Sequence, residues 1–491
     1  MRAFLCLPLV LLASTVVAAA PAEKLNVLMI AVDDLRPELN CYGASHIKSP
    51  YLDRLAADAV VFNRAYCQQA VCSPSRTSLM TGLRPDSTKV YDLETHFRDT
   101  VPDVVTMTQH FKEHGYQAVG MGKIYHGGLD DKLSWSVPHT RPTANGYQVK
   151  ANQDMIVRKR AAARNQGLTG KRLSRAARGP AVECADVADN EYPDGQVADM
   201  AIAALGKLAG GDKPFFLAAG FVKPHLPFNS PRPYWELYDR ADIGLPDNYR
   251  FLPKDVTEFS ATTWGEIRAY EGIPAKGPVT DEQAIELIHG YYAAVSYIDA
   301  QIGRVVAELE RLGLRDRTVI VVWGDHGWKL GDHSLWCKHT NFELDARVPL
   351  IVSSPGAKGN GRKSDRLVEF VDIYPTLCEL AGLPLPGHLE GCSFAPLLQD
   401  PSAPWKSAAF SQYPRGGGNR PVMGYSMRTD RYRFTRWVNR SDPKKVYATE
   451  LYDLHSDPDE NTNIAGRPEN KKLVAELLKQ NEAGWQAAKP K

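Results

Sequence analysis

Four short apolar runs, each ending in ionisable residues, constrain this chain more than any other feature. Residues 25–32 lead into Asp33-Asp34, and residues 116–121 end near Lys123 and His126. Residues 215–221 end in Lys223-Pro224-His225, and residues 318–323 end in Gly324-Asp325-His326. Continuous apolar runs of this length are expected of strands covered on both faces. Helical spacing lies between them. It is seen at Leu52, Leu55, Ala56 and Ala59 after Pro50, in the Ala-, Ile- and Leu-rich residues 196–209, and in the long amphipathic stretch 281–312. Gly290 is the point at which that last helix is expected to kink. The alternation predicts an α/β fold, with a central, mostly parallel sheet flanked by helices. Sites in such folds form at the carboxyl ends of the strands, so the four polar strand ends mark one site.

At 491 residues the chain is long enough for more than one domain. Its net charge of +2 says little about partners, but no block of like charge is long enough to read as a nucleic-acid tail, which predicts no nucleic-acid partner. Arg2, the apolar residues 4–17 and the small residues of Ala18-Ala19-Ala20 and Ala20-Pro21-Ala22 read as a signal peptide over residues 1–22, cut after Ala22. An uncleaved anchor is the competing reading. No later run is apolar and long enough to span a bilayer, which predicts a soluble protein, periplasmic or secreted. Residues 23–400 are then the main domain, which carries the polar strand ends, and 401–491 a C-terminal subdomain with an antiparallel sheet. Residues 423–438 read as a hairpin with Arg428 to Arg431 near its turn, and residues 469–488 as a terminal helix.

Eight cysteines are present, and Cys6 belongs to the leader. Cys378 and Cys392 are close enough in sequence to pair, a point that sequence leaves open. Residues 127–195 are polar and locally basic, with Lys171, Arg172, Arg175 and Arg178 among their cations. They read as a surface insertion, either a solvated face or a holder of a polyanionic substrate.

The chemistry centres on Cys72-Ser73-Pro74-Ser75-Arg76. Ser73 can cap a helix, Pro74 suits its first turn, and Gly82 can end it. Cys72 would then sit where a helix N-terminus favours an anion, with Arg76 about one turn on. The plainer reading is a buried structural cysteine. Asp33, Asp34 and Asp325, crowded with His326, would repel unless a cation neutralised them; hard oxygen ligands favour Ca²⁺ or Mg²⁺. Capping or a solvated turn is the alternative for Asp33-Asp34. Lys123, His126, His225 and Lys338 together could cage a tetrahedral dianion, although any one of them alone would be an ordinary surface residue.

The C-x-P-x-R pattern resembles the signature of the type I sulfatases, whose cysteine is oxidised to formylglycine. Asp33-Asp34-Leu35-Arg36-Pro37, Gln68 to Cys72, Gly122 to His126, Lys223 to Phe228, Asp325 to Trp328, Ser411 to Arg415 and Met423 to Ser426 look like the iduronate 2-sulfatase branch. The resemblance implies an alkaline-phosphatase-like domain and a formylglycine made from Cys72 by a formylglycine-generating or sulfatase-maturating enzyme. It implies Ca²⁺, rather than Mg²⁺, held by Asp33, Asp34, Asp325, His326 and residue 72. It assigns Arg76 and Lys123 to the aldehyde hydrate, His126 to sulfate expulsion, Lys338 to sulfate binding and His225 to the leaving oxygen. The implied substrate is a sulfated oligo- or polysaccharide, with a 2-O-sulfated uronate among the candidates. Lys89 stands where the animal enzymes carry an arginine, and the chain is compact where those enzymes are cut, which predicts one unprocessed polypeptide. Lys89, Tyr91, Trp328, His333 and Arg428 are the candidate sugar contacts. The alternatives are a phosphatase or phosphodiesterase of the same superfamily, or a sulfated-glycan-binding protein whose Cys72 stays unmodified.

Overall fold

The four apolar runs lie side by side in the central sheet of a computed structural model describing residues 24–416 and 421–490. The leader expected over residues 1–22 lies outside the described residues. In chain order the strands of this sheet are β1 (Asn26–Val32), β2 (Val60–Phe62), β3 (Gln117–Gly122), β4 (Phe215–Phe221), β5 (Thr318–Gly324), β6 (Leu350–Ser353) and β7 (Lys363–Ser364). They are ordered β7-β2-β6-β5-β1-β4-β3 across the sheet. The neighbours β5, β1, β4 and β3 are all parallel, and Ile30 on β1 is in register with Val322 on one side and Ala219 on the other. β6 runs antiparallel to both β5 and β2.

Both faces of β1 are buried. Leu28, Ile30 and Val32 join one apolar core, and Val27, Met29 and Ala31 join the other. The period-two alternation therefore divides one unbroken apolar run between two cores. The helices that bear on the site include α1 (Pro50–Ala56), α2 (Cys72–Thr81), α3 (Lys150–Asn165), α4 (Gly170–Ala176), α5 (Pro193–Ala209) and α6 (Asp281–Arg311). α6 covers the first core with Leu287, Tyr291, Val295, Ile298, Ile302 and Val305, spaced at three and four residues. α2 packs on the second core through Leu79 and Met80.

Two expectations need correction. α6 is one helix from Asp281 to Arg311, with no break at Gly290. A Cβ at Gly290 would lie 2.9 Å from Val182 and 3.0 Å from Phe228, so the glycine serves close packing and not a kink. The polar stretch 127–195 is also more than a surface insertion. Its Val182–Ala185 strand pairs in parallel with Phe228–Pro231, and Ala181, Ala185 and Tyr192 enter the core beneath α6. The seven cysteines among the described residues all have free thiols, Cys378 and Cys392 included.

The C-terminal sheet consists of β8 (Ala409–Arg415), β9 (Val422–Arg428), β10 (Tyr432–Asn439) and β11 (Asp442–Asp453), antiparallel and in sequence order. The terminal helix α7 (Lys471–Ala487) adds Leu477 to a small core with Met427, Phe434 and Leu451. β8 also braces the segment that leads into α2. Ser411 Oγ donates to the Cys67 carbonyl at 2.6 Å, and the Gln412 N–H to that of Gln68 at 2.8 Å.

The ends of β3 and β4 approach closely enough to exclude a side chain. Gly122 has φ +71°, and a Cβ built on Gly220 would lie 2.2 Å from the Lys123 carbonyl oxygen. This contact lets the Lys123 N–H donate to Gly220 O at 2.8 Å. Alanine normally suits a strand better than glycine, but Gly220→Ala should destabilise the protein by about 2 kcal/mol through overpacking against backbone. Urea denaturation checks this; an unchanged midpoint would remove the steric argument.

Candidate active and metal-binding site

Because β5, β1, β4 and β3 are parallel neighbours, their carboxyl ends share one edge of the sheet, and the polar residues that follow them converge. Backbone bonds carry the pairing past the strand ends. Asp33 N–H donates to Phe221 O at 3.1 Å, and Asp325 N–H to Val32 O at 3.2 Å. The side chains of Asp33, Asp34, Asp325 and His326 are all fully buried there.

α2 approaches this edge with its N-terminus. The helix begins at Cys72 and Val71 is its N-cap, so Ser73 lies inside the first turn and does not cap it. Gly82 ends the helix in the left-handed conformation at φ +70°. Arg76 is fully buried and does not face the opening. Its Nε donates to Asp325 Oδ2 at 2.8 Å, Nη2 to Asp33 Oδ1 at 3.2 Å and Nη1 to the Ile124 carbonyl at 3.1 Å. Ser75 Oγ donates to the Asp325 carbonyl at 2.5 Å. The second turn of α2 is thus bonded to β1, to β5 and to the loop after β3 at once.

Cys72 Sγ lies 3.3 Å from His326 Nε2 and 3.7 Å from Lys123 Nζ. Lys123 also pairs with Asp33. Lys338 bonds both oxygens of Asp34 at 3.0 Å and Glu266 Oε2 at 2.8 Å. His225 Nε2 lies 3.0 Å from Glu266 Oε1 and 3.8 Å from Asp34 Oδ2. Burial opposes ionisation of Asp33, but Lys123, His225 and Arg76 hold its carboxyl well below the usual range. Burial raises Asp34, only partly countered by His225 and Lys338. Burial, with Asp33 nearby, pushes the Cys72 thiol up. Burial and the Lys123 charge lower His126 to about 3, which keeps the ring neutral.

The donor set fits a divalent cation. Ligand atoms from Asp33, Cys72, Asp325 and His326 lie within 4.8 Å of one another, as do those of Asp33, Asp34, Cys72 and His225. His326 Nδ1 is 3.0 Å from the Gly327 carbonyl, which can only accept, so Nδ1 carries a proton. His326 Nε2 faces Asp34 Oδ1 at 3.4 Å and Asp325 Oδ1 at 3.5 Å. A ring nitrogen and carboxylate oxygens converging on one point suit a shared cation, with the Gly327 carbonyl orienting the histidine from behind.

Above this cluster opens a cleft of about 770 Å³, lined by Cys72, Lys123, His126, His225, Glu266 and Lys338, with Arg141, Lys171, Arg175 and Arg178 on its wall. The structure therefore brings together all the nucleophile, cage and metal candidates. It does not bring the candidate sugar contacts to the cleft. Lys89 is exposed outside the lining, and Tyr91 donates to Asp86 Oδ1 at 3.0 Å. Trp328 is fully buried, 4.6 Å beneath the Lys338 ammonium. His333 is spent on the Asp459 carbonyl at 2.7 Å, and Arg428 on Glu343 at 3.3 Å. Glu266 lay beyond sequence reasoning, because no motif surrounds it in its loop. Lys171, Arg175 and Arg178 carried a signal in their i, i+4, i+7 spacing.

Residues 25–383 match the family model described as Sulfatase, and residues 331–486 match the one described as N-sulphoglucosamine sulphohydrolase, C-terminal. Iduronate 2-sulfatase of Mus musculus is 36% identical, covering 90% of this chain and 91% of the relative. Iduronate 2-sulfatase of Homo sapiens is 34% identical, with coverage of 93% and 94%. Among solved structures, a complex with its substrate D-glucosamine-2-N,6-O-disulfate superposes with a TM-score of 0.71 at 21% identity, covering 94% of this chain and 99% of the other. A 2-O GAG sulfatase gives 0.69 at 23% identity, covering 96% and 95%. At these identities the solved structures establish the shared fold.

A cation bound between the carboxylates should couple to folding. Chelation should lower Tm by a few degrees, and added Ca²⁺ or Mg²⁺ should restore it. Asp325→Asn should abolish that restoration. A Tm indifferent to chelator and cation in the wild-type protein would dispose of the metal site.

Proposed function

This chain belongs to the sulfatase family of sulfuric ester hydrolases, and we propose that its cleft hydrolyses O-sulfate esters of sulfated sugars. The observation that carries the reading is the convergence of Cys72 with Asp33, Asp325 and His326 at the floor of a cleft walled by cations. The finer reading is a 2-O-sulfated uronate within a glycan. Two mammalian relatives named iduronate 2-sulfatase support it, as does a basic wall suited to a sugar with a carboxylate besides its sulfate.

Cys72, oxidised to formylglycine by a maturating enzyme, would supply an aldehyde hydrate as the nucleophile toward sulfur. A Ca²⁺ held by Asp33, Asp34, Asp325, His326 and residue 72 would offset charge on the sulfuryl oxygens. Lys123, 3.7 Å from Cys72 Sγ, would hold the side chain of residue 72 in place. Arg76 would act from beneath, fixing Asp33 and Asp325. Lys338 would draw in a sulfuryl oxygen, and His225 would protonate the departing sugar oxygen; Glu266 orients both. His126, which lines the cleft, would assist the step that expels sulfate.

The protein would be exported through its leader at residues 1–22. Among the described residues no helix is long and apolar enough to cross a membrane. Residues 401–491 would form a subdomain that supports the segment before Cys72.

The test is sulfate release from a 2-O-sulfated uronate disaccharide by protein made in a host with maturation machinery. Cys72→Ser should lose at least about a thousandfold in kcat while keeping the wild-type Tm. His225→Ala should lose about a hundredfold in kcat. Mass spectrometry should find an aldehyde at residue 72. Near-normal sulfate release by Cys72→Ser, or faster release of phosphate than of sulfate from matched esters, would overturn the reading.

A further inference from the structure

The loop that carries His225 is fixed from behind by a residue with no part in the chemistry above. Lys223, two residues earlier, is 6% exposed and lies outside the lining of the cleft. Its Nζ donates to the His225 carbonyl at 2.7 Å. Among the described residues this is its one side-chain hydrogen bond, and no carboxylate pairs with the ammonium directly. Burial draws that ammonium below the usual lysine range, opposed by the charges of Asp194, Asp33 and Asp34. Burying a cation to hold one backbone carbonyl is costly unless the position of that carbonyl matters.

The backbone of the same loop is held by Asp194, fully buried in the first turn of α5. One carboxylate oxygen accepts the Val222 N–H at 2.6 Å, and the other accepts the Lys223 N–H at 3.1 Å. That turn of α5 is itself anchored. Gly195 N–H donates to the Tyr297 hydroxyl of α6 at 2.7 Å, and the hydroxyl donates to the Asp189 carbonyl at 2.8 Å. His225 therefore has its backbone clamped at both ends. Its N–H donates to the Val222 carbonyl at 2.9 Å, and its own carbonyl accepts from Lys223. The ring follows the backbone. Nδ1 lies 2.6 Å from the Leu226 carbonyl, which can only accept, so Nδ1 carries a proton. Nε2 is left toward the cleft and Glu266.

We infer that Lys223 and Asp194 are positioning residues for proton transfer: together they set the height and rotation of His225, so that Nε2 meets the departing sugar oxygen. The inference rests on the sulfatase reading, with His225 as proton donor, and adds the parts that aim the donor. Proton transfer needs a heavy-atom approach of about 2.6–3.2 Å, and a misplacement of about 1 Å can cost a hundredfold. Such a role has a signature that general loosening of the fold lacks. A sugar oxygen needs a proton as its bond to sulfur breaks, whereas an aryl oxide is stable enough to leave without one. Loss of aim at His225 is thus felt on sugar sulfates and scarcely on aryl sulfates.

The experiment uses mature enzyme and two substrates, a 2-O-sulfated uronate disaccharide and 4-nitrophenyl sulfate. Lys223→Met should lose about thirtyfold in kcat on the disaccharide, with KM within about twofold, and no more than about threefold on the aryl sulfate. In a His225→Ala background the same substitution should cost no more than about twofold further, because the two residues act as one unit. Asp194→Asn keeps one acceptor oxygen for two N–H groups. It should repeat the split at smaller size, and it decides the matter if Lys223→Met does not fold. Equal losses on both substrates, or an undiminished loss in the His225→Ala background, would overturn the positioning role. Absence of sulfate release from either substrate by mature wild type would instead overturn the sulfatase reading. The Nδ1–H signal of His225 in ¹⁵N-histidine NMR would then still decide the clamp: sharp in wild type and lost to exchange in Lys223→Met is the expected result, and an unchanged signal would overturn it.

Discussion

The constraint on which the rest of the site depends is the burial of Asp33, Asp34 and Asp325 together at one sheet edge. Such charges are kept in a folded core only when compensated, and removing one partner of a buried pair costs about 3–5 kcal/mol. Here compensation comes from three separate parts of the chain. Arg76 reaches Asp33 and Asp325 from α2, Lys123 reaches Asp33 from the end of β3, and Lys338 reaches Asp34 from the segment after β5. The donor set leaves a place for a divalent cation at the centre. The electrostatic demand of the carboxylates therefore fixes the positions of the groups that surround Cys72.

Sheet order makes this possible. β5, β1, β4 and β3 are adjacent and parallel, so four strand ends, widely separated in sequence, lie on one edge. Close backbone contact at Gly122 and Gly220 sets the height of Lys123 against β4. A second buried ionic network supports the far end of α2. Arg84 forks onto Glu369 at 2.8 and 2.9 Å, and Lys406 joins Glu369 to Asp372. The C-terminal sheet completes the support through Cys67 and Gln68. The scaffold around α2 is thus rigid, while the cleft wall above it is carried by α4 and by the loop at Trp264-Gly265-Glu266, the parts free to set which substrate fits.

Much of this was legible in the residues. β1, β4 and β5 announced themselves because both faces of each are buried, which leaves a continuous apolar run, and the polar residues at the strand ends marked the site. The helix from Cys72 to Gly82 could be read apart from its cap, because Val71 occupies the position that Ser73 was expected to take. Gly290 misled because a helical glycine signals either a bend or a close contact, and only the neighbours Val182 and Phe228 distinguish them. Trp328, His333 and Arg428 misled for a related reason: polar and aromatic residues near a motif look available until their burial and partners are known.

The sequence by itself determined the class of fold, the nucleophile candidate and the charged groups that accompany it, because those depend on local periodicity and on residue chemistry at strand ends. The tertiary structure alone decided that Glu266 ties His225 to Lys338, that Arg76 faces inward, and that Lys171, Arg175 and Arg178 line a cleft and are not merely a solvated face. The physical reason is the same in each case. A side chain's partner is set by which segments are packed together across long separations in sequence, and no local pattern encodes that.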